Sequence, residues 1–270
     1  MRPQAALLAL AVTLAAAGAR ADEPVCGKTA AGFDAWLASF RLAAAEDGIS
    51  PATLTTALAG VTYDDRVIAL DRSQKPFKLS LRAFAAQRIT TRRLREGREL
   101  LRRYQVVLEK IEEQFGVPAP VIVAIWGLET DYGEQIGDRP VFRSLATLAY
   151  DCRRAARFRG ELMSALRIVE RGDLRPGEML GAWAGELGQT QFLPSSYERF
   201  AVDFDGDGRR NLRDSVPDVL ASTALYLASN GWRYNGAWAP GTANFEVLAT
   251  WNRSVVYQKT IAMFAERLVE

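Results

Sequence analysis

The chain has 270 residues, 34 Lys and Arg against 32 Asp and Glu, and no histidine anywhere. Without histidine there is no Ser-His-Asp or Cys-His nucleophile system, no histidine-ligated zinc and no imidazole base, so acid–base work falls to carboxylates or, less often, Lys or Tyr. The near-balance of charge excludes a dedicated nucleic-acid binder.

Arg2, an Ala-, Leu- and Val-rich run over 5–17 and the small-x-small site Ala19-Arg20-Ala21 form the pattern of a secretory signal peptide, residues 1–21. The run is too short to cross a bilayer, and no later segment approaches about 20 uninterrupted apolar residues. Cys26 follows Glu23-Pro24-Val25, a poor context for lipid attachment. The expectation is an exported, soluble, periplasmic protein whose residues 22–270 are enough for one large domain or two small ones. Removing Arg2 and Arg20 with the leader leaves the remainder formally neutral. Cys26 and Cys152 are an even pair in an oxidising compartment, which suggests one disulfide; two buried thiols are the alternative.

Helical spacing dominates the rest. Phe33, Trp36, Leu37, Phe40 and Ala44 share a face, and Gly48 ends that segment. Ser50-Pro51 opens a short helix that stops near Gly60. Arginines crowd 82–103; the reading is a solvated helix face, with attraction for an anionic polymer as the second possibility. Leu100, Leu101, Tyr104, Val107, Leu108, Ile111 and Phe115 predict one long helix. Further helices are expected over 161–170, 217–229 and 254–268, the last with Ser254 as cap and Tyr257, Ile261, Phe264 and Leu268 on one face. No pair of alternating strand-like runs, internal repeat or low-complexity linker interrupts them, so the class is mainly α.

One helix carries the chemistry. Residues 114–128 bear no charge, Pro118-Ala119-Pro120 marks a helix start, and Val121 to Leu128 is apolar on every side, which predicts a buried helix. It delivers Glu129 at its C-terminal end, with Tyr132-Gly133 breaking the helix beyond. Desolvation and the negative end of the helix dipole both raise a carboxyl pKa, as a glycosidase acid requires. Gly127 beside it is read as room for a ligand to approach the backbone. Taken alone, Glu129 could equally be a helix-end Glu that reaches water or an arginine.

A second segment, Gly185-Glu186-Leu187-Gly188-Gln189-Thr190-Gln191-Phe192-Leu193-Pro194-Ser195-Ser196-Tyr197, mixes amides and hydroxyls with aromatics and is flanked by Trp183. That mixture suits a sugar groove; a loop leading to a helix capped by Ser195 or Ser196 is the plainer reading.

With these segments on the page, the chain resembles the B-type lytic murein transglycosylases, relatives of lysozyme-fold enzymes. The resemblance rests on Ala124-Ile125-Trp126-Gly127-Leu128-Glu129-Thr130-Asp131-Tyr132-Gly133, on Arg143 to Asp151, on the glutamine segment, on Ala201-Val202-Asp203-Phe204-Asp205-Gly206-Asp207-Gly208 and on Trp251-Asn252. It runs from about residue 33 to the end. It implies a lysozyme-like transglycosylase domain with extra helices and peptidoglycan glycan strands as substrate. It also implies Glu129 as the single acid and base of a reaction that leaves 1,6-anhydroMurNAc ends, with no cofactor in the chemistry. Gln191, Asn252 and Tyr257 match groove positions. Two departures stand out: Ala182 where relatives often carry serine, and Glu186 where many have alanine.

Asp203-Phe204-Asp205-Gly206-Asp207-Gly208-Arg209-Arg210-Asn211-Leu212-Arg213-Asp214 follows the EF-hand loop pattern, with Asp at positions one, three and five and Gly at six. Asp203, Asp205, Asp207 and Asp214 are the expected ligands of a weak structural Ca²⁺, and a metal-free Asp-Gly turn is the alternative. Two other functions stay open at this point. One is a lysozyme- or chitinase-type hydrolase, using Asp131, Glu134, Asp138 or Glu186 as a second carboxylate. The other is a calcium-dependent wall-binding protein without activity.

Overall fold

The structure is a computed structural model that describes residues 25–74 and 79–270; the signal-peptide reading of 1–21 lies outside the described residues. Thirteen α-helices carry the described chain. In order they are α1 (Phe33–Glu46), α2 (Pro51–Ala57), α3 (Asp65–Arg72), α4 (Leu81–Arg88), α5 (Thr91–Arg103), α6 (Gln105–Phe115) and α7 (Ala119–Thr130). They continue as α8 (Val141–Tyr150), α9 (Ala155–Glu170), α10 (Pro194–Phe200), α11 (Val216–Ser229), α12 (Ala243–Trp251) and α13 (Val255–Val269). The only named sheet among the described residues is a two-residue antiparallel pair, β1 (Arg139–Pro140) with β2 (Leu180–Gly181).

Helix α7 is the axis of the core. Val121 through Leu128 are all buried, and α5, α6, α11 and α13 pack around them. A helix apolar all round has no solvent face to offer, so neighbours must enclose it. Pro120 sits in its first turn, where a missing N–H costs nothing. Asp131 ends it in a left-handed conformation, φ 56°.

Most expected helices are present with shifted ends. The predicted long helix over 100–115 is two helices, because the backbone turns at Tyr104, which closes α5 and opens α6 while its ring packs edge-on against Trp126. Helix α9 starts at Ala155 rather than near 161. Helix α10 starts at Pro194, so Ser195 lies inside the first turn; its N–H and hydroxyl both donate to Glu161 at 2.9 Å instead of capping. Ser254 caps α13 as expected, accepting from the Tyr257 N–H.

Cys26 and Cys152 are joined in a disulfide. The Gly27 N–H donates to the Tyr150 carbonyl at 3.0 Å beside it, which ties the start of the described chain to α8. Asp71, 1% exposed, binds Arg72, Arg153 and Arg154. That pairing fastens α3 to the entrance of α9. No helix among the described residues is long and apolar enough to cross a membrane.

Candidate active site

Glu129 sits in the last turn of α7 at the wall of a groove of about 520 Å³. Its Oε1 accepts two hydrogen bonds, from Trp251 Nε1 at 2.8 Å and from Tyr257 Oη at 2.7 Å. Trp251 is the last residue of α12 and Tyr257 lies in the first turn of α13, so the two final helices close on the acid. One side of Glu129 faces the groove and leaves it half-buried, while dense protein surrounds the rest of the carboxyl. That desolvation pushes its pKa up; the Tyr257 and Trp251 hydrogen bonds pull it down, the charge of Glu186 raises it and that of Arg88 lowers it. Burial wins, and the net shift is upward. Burial also holds the Tyr257 phenol well above its ordinary value, so it donates as a neutral hydroxyl.

The other groove residues named from sequence divide. Gln191 and Asn252 line the groove with Glu129. Gln191 is held at φ 53°, and its amide donates to the Ile136 and Gly188 carbonyls at 3.1 and 3.0 Å. Asn252 Oδ1 accepts from the Ser254 N–H at 2.9 Å. Tyr257 is not among the residues lining the groove; it donates to the Glu129 carboxyl itself. Trp251, the second donor to Glu129, was named from sequence only as part of a motif, with no role of its own, and Arg157 in the groove was not singled out; an indole donor close in sequence to Tyr257 was the available signal.

Gln189 is a strut. Its Oε1 accepts from Trp126 Nε1 at 2.8 Å and its amide donates to the Arg213 carbonyl at 2.8 Å, while Thr130 donates to its backbone carbonyl. The glutamine segment is thereby bolted to α7. Gly127 has a different purpose from the one expected. A Cβ there would lie 2.7 Å from the Tyr132 ring, so the glycine makes room for Tyr132, not for a ligand.

Of the four candidate second carboxylates, three are elsewhere. Asp131 is ion-paired with Arg93 at 2.7 Å and with Arg92. Burial, the largest influence on it, is overcome by the two guanidiniums, which hold its carboxyl below the usual range. Glu134 is exposed beside Arg92 at 3.6 Å. Asp138 lines a separate hollow with Asp64, Arg139 and Arg143. Only Glu186 shares the groove.

The Asp-rich loop gathers a different set from the one the sequence pattern gave. Asp203, Asp205 and Asp218 bring ligand oxygens within 4.8 Å of one another. Asp207 and Asp214 stand outside that group: Asp207 Oδ1 accepts from the Arg209 N–H at 2.8 Å, and Asp214 is 61% exposed beside Arg213. The reason is Asp218, fully buried in the first turn of α11. Its carboxylate accepts the N–H groups of Phe204 and Asn211, each at 2.7 Å, and draws the start of the loop onto itself.

A family profile described as the transglycosylase SLT domain matches residues 32–242, and the chain belongs to that family. It is 39% identical over 145 residues to the membrane-bound lytic murein transglycosylase B of Escherichia coli (strain K12), a match covering 53% of this chain and 40% of that protein. The crystal structure of SltB3 from Pseudomonas aeruginosa in complex with NAG-anhNAM-pentapeptide superposes with a TM-score of 0.84 at 31% identity, covering 88% of this chain and 79% of that one. The Escherichia coli lytic transglycosylase Slt35, solved in complex with calcium, shares the fold with a TM-score of 0.77 at 23% identity, over 92% and 96% of the two chains. The lysozyme-like transglycosylase fold expected from sequence is the one present.

The two hydrogen bonds to Glu129 favour its charged form. Tyr257→Phe removes one of them, so the Glu129 pKa rises further in that variant. Carboxyl-carbon NMR titration checks this, and an unchanged or lower pKa contradicts the assigned geometry.

Proposed function

We propose that this protein is a lytic transglycosylase that cleaves the MurNAc-β-1,4-GlcNAc bond of peptidoglycan, with Glu129 as its one proton-transfer group. The observation that carries the reading is a carboxyl of raised pKa facing a groove, with two donors waiting on the same oxygen. Protonated Glu129 gives its proton to the glycosidic oxygen as the bond from MurNAc C1 breaks. The resulting carboxylate is stabilised by Trp251 and Tyr257, whose hydrogen bonds strengthen as charge develops. It then takes the proton of the MurNAc C6 hydroxyl as O6 bonds to C1 and closes the anhydro ring. The net proton movement is from O6 to the leaving oxygen, and no water or cofactor enters.

The fold, the family and the ligands of SltB3, which has been solved with both NAG-NAM-pentapeptide and NAG-anhNAM-pentapeptide, support this reading. A hydrolase would need a second ionised carboxylate at the reaction centre. Burial raises the pKa of Glu186, the one other acid in the groove, which speaks against that role. The signal-peptide pattern of residues 1–21 supports a periplasmic location for residues 22–270, which we read as a single catalytic domain.

Ca²⁺ is the expected ligand of the loop at 203–218. Three carboxylates converge there, and clustered hard oxygens suit that ion. Weak affinity, on the order of 10⁻⁴–10⁻³ M, is usual for extracellular sites, and a ~10-fold excess over Kd stabilises by about 1.4 kcal/mol. Millimolar calcium therefore raises the melting temperature of the wild type, and Asp205→Asn loses that response. An unchanged wild-type melting temperature means the loop is a turn only.

Glu129→Gln keeps the shape of the acid but can neither give nor take the proton. It retains its fold by circular dichroism and loses solubilisation of purified sacculi by at least ~10²–10⁴-fold. Near-wild-type turnover in that variant removes Glu129 from the chemistry.

A further inference from the structure

Glu186 is a half-buried acid that the cleavage reaction leaves without work. It lines the groove with Glu129, Ala182 and Arg157, and its Oε2 is covered by protein with no hydrogen-bond partner. The backbone around it is fixed. The Glu186 carbonyl accepts from the Ala182 N–H at 2.8 Å, the Gly185 N–H donates to the Ala182 carbonyl at 3.2 Å, and Leu187 and Phe192 exchange N–H···O bonds at 2.9 and 3.0 Å. The side-chain carboxyl is also met by the N–H groups of Glu186 itself and Ala184. The other oxygen therefore stays unpaired in a rigid loop rather than in a floppy one.

An ionised carboxylate left with one unpaired buried oxygen is costly. Of the charged groups around it, Arg157 favours ionisation, while Glu161 on α9 and Glu129 across the groove oppose it. Burial outweighs the arginine, and the carboxyl is pushed upward. A neutral carboxylic acid has one O–H to give, and nothing in the protein takes it.

We propose that Glu186 is a specificity residue of the groove: its carboxyl group donates a hydrogen bond to an acetamido carbonyl of the bound glycan. The amide carbonyl is the strongest neutral acceptor on an N-acetylated sugar. The residue is half-buried and lines the groove beside Glu129, so the part of its side chain that is not covered lies within reach of a bound glycan. This inference rests on the glycan-cleaving reading and adds a recognition contact to it. An anionic Glu186 predicts the opposite preference, because it would pair with the ammonium of a de-N-acetylated sugar.

The test is calorimetric titration of the full protein with N-acetylchitotetraose and with its fully de-N-acetylated counterpart. The wild type binds the acetylated oligomer more tightly. Glu186→Ala weakens that binding about tenfold, the worth of one hydrogen bond, and Glu186→Gln, which keeps an N–H donor, restores most of it. On glycan strands the Ala variant shows its loss in KM and not in kcat. Equal binding by wild type and Ala variant, with melting temperatures showing both folded, overturns the role of Glu186 alone. Tighter wild-type binding of the de-N-acetylated oligomer, abolished by Glu186→Ala, overturns it by making the acid an anion. Failure of the wild type to bind either oligomer overturns this recognition contact, while the glycan-cleaving reading is overturned separately, by failure of the wild type to solubilise purified sacculi.

Discussion

The two hydrogen bonds that Glu129 Oε1 accepts from Trp251 and Tyr257 join the middle of the chain to its last two helices, across 122 and 128 residues of sequence. A carboxyl in that position needs burial to keep a proton and donors to tolerate losing it. The two demands oppose each other, and the site meets them with different parts of the fold. Burial comes from α7, apolar on all sides and enclosed by α5, α6, α11 and α13. The donors come from α12 and α13, the last two helices of the chain, and α13 serves both needs because it also packs on α7.

The groove depends on the same helix from its other side. Trp126, also on α7, donates to Gln189, and Gln189 donates onward to the loop before α11. Tyr132, folded back in a left-handed conformation, occupies the space that Gly127 leaves open and donates to the Arg93 carbonyl at 2.7 Å. Asp131, beside it, is neutralised by Arg92 and Arg93. Part of the arginine-rich segment thus pins the end of α7, and Asp131, two residues beyond Glu129, is held outside the groove by that pairing.

Much of this was legible in the sequence, for identifiable reasons. The charge-free run before Glu129 could only be a buried helix, and the helix had to end where Tyr132-Gly133 follows. Helices α3, α8 and α12 were not read from the sequence, and much of α8 is buried with no polar face to reveal a period. The break at Tyr104 was hidden because the apolar stripe continues across it. The uses of Gly127 and Gln189 were misread: both sit in a motif that looks like ligand-binding residues, yet each satisfies a packing or hydrogen-bonding need inside the protein. Asp218 was missed because the loop pattern stops at Asp214, whereas the buried carboxylate that gathers the loop lies four residues later, in the first turn of α11.

Lysozyme-like folds can cleave a glycan with water or without it, and the difference lies in whether a second ionised carboxylate stands at the reaction centre. In this groove the second acid, Glu186, is half-buried and its pKa is raised, while Asp131 is held by two arginines. The central claim is that Glu129 alone moves the proton and the substrate's own C6 hydroxyl is the nucleophile. Mass spectrometry of the fragments released from purified sacculi in ¹⁸O-labelled water tests it most directly. Anhydro ends, one water lighter than reducing ends and free of label, are the predicted product. Reducing ends carrying ¹⁸O would contradict the account and place a water, activated by a second carboxylate, at the centre of the reaction.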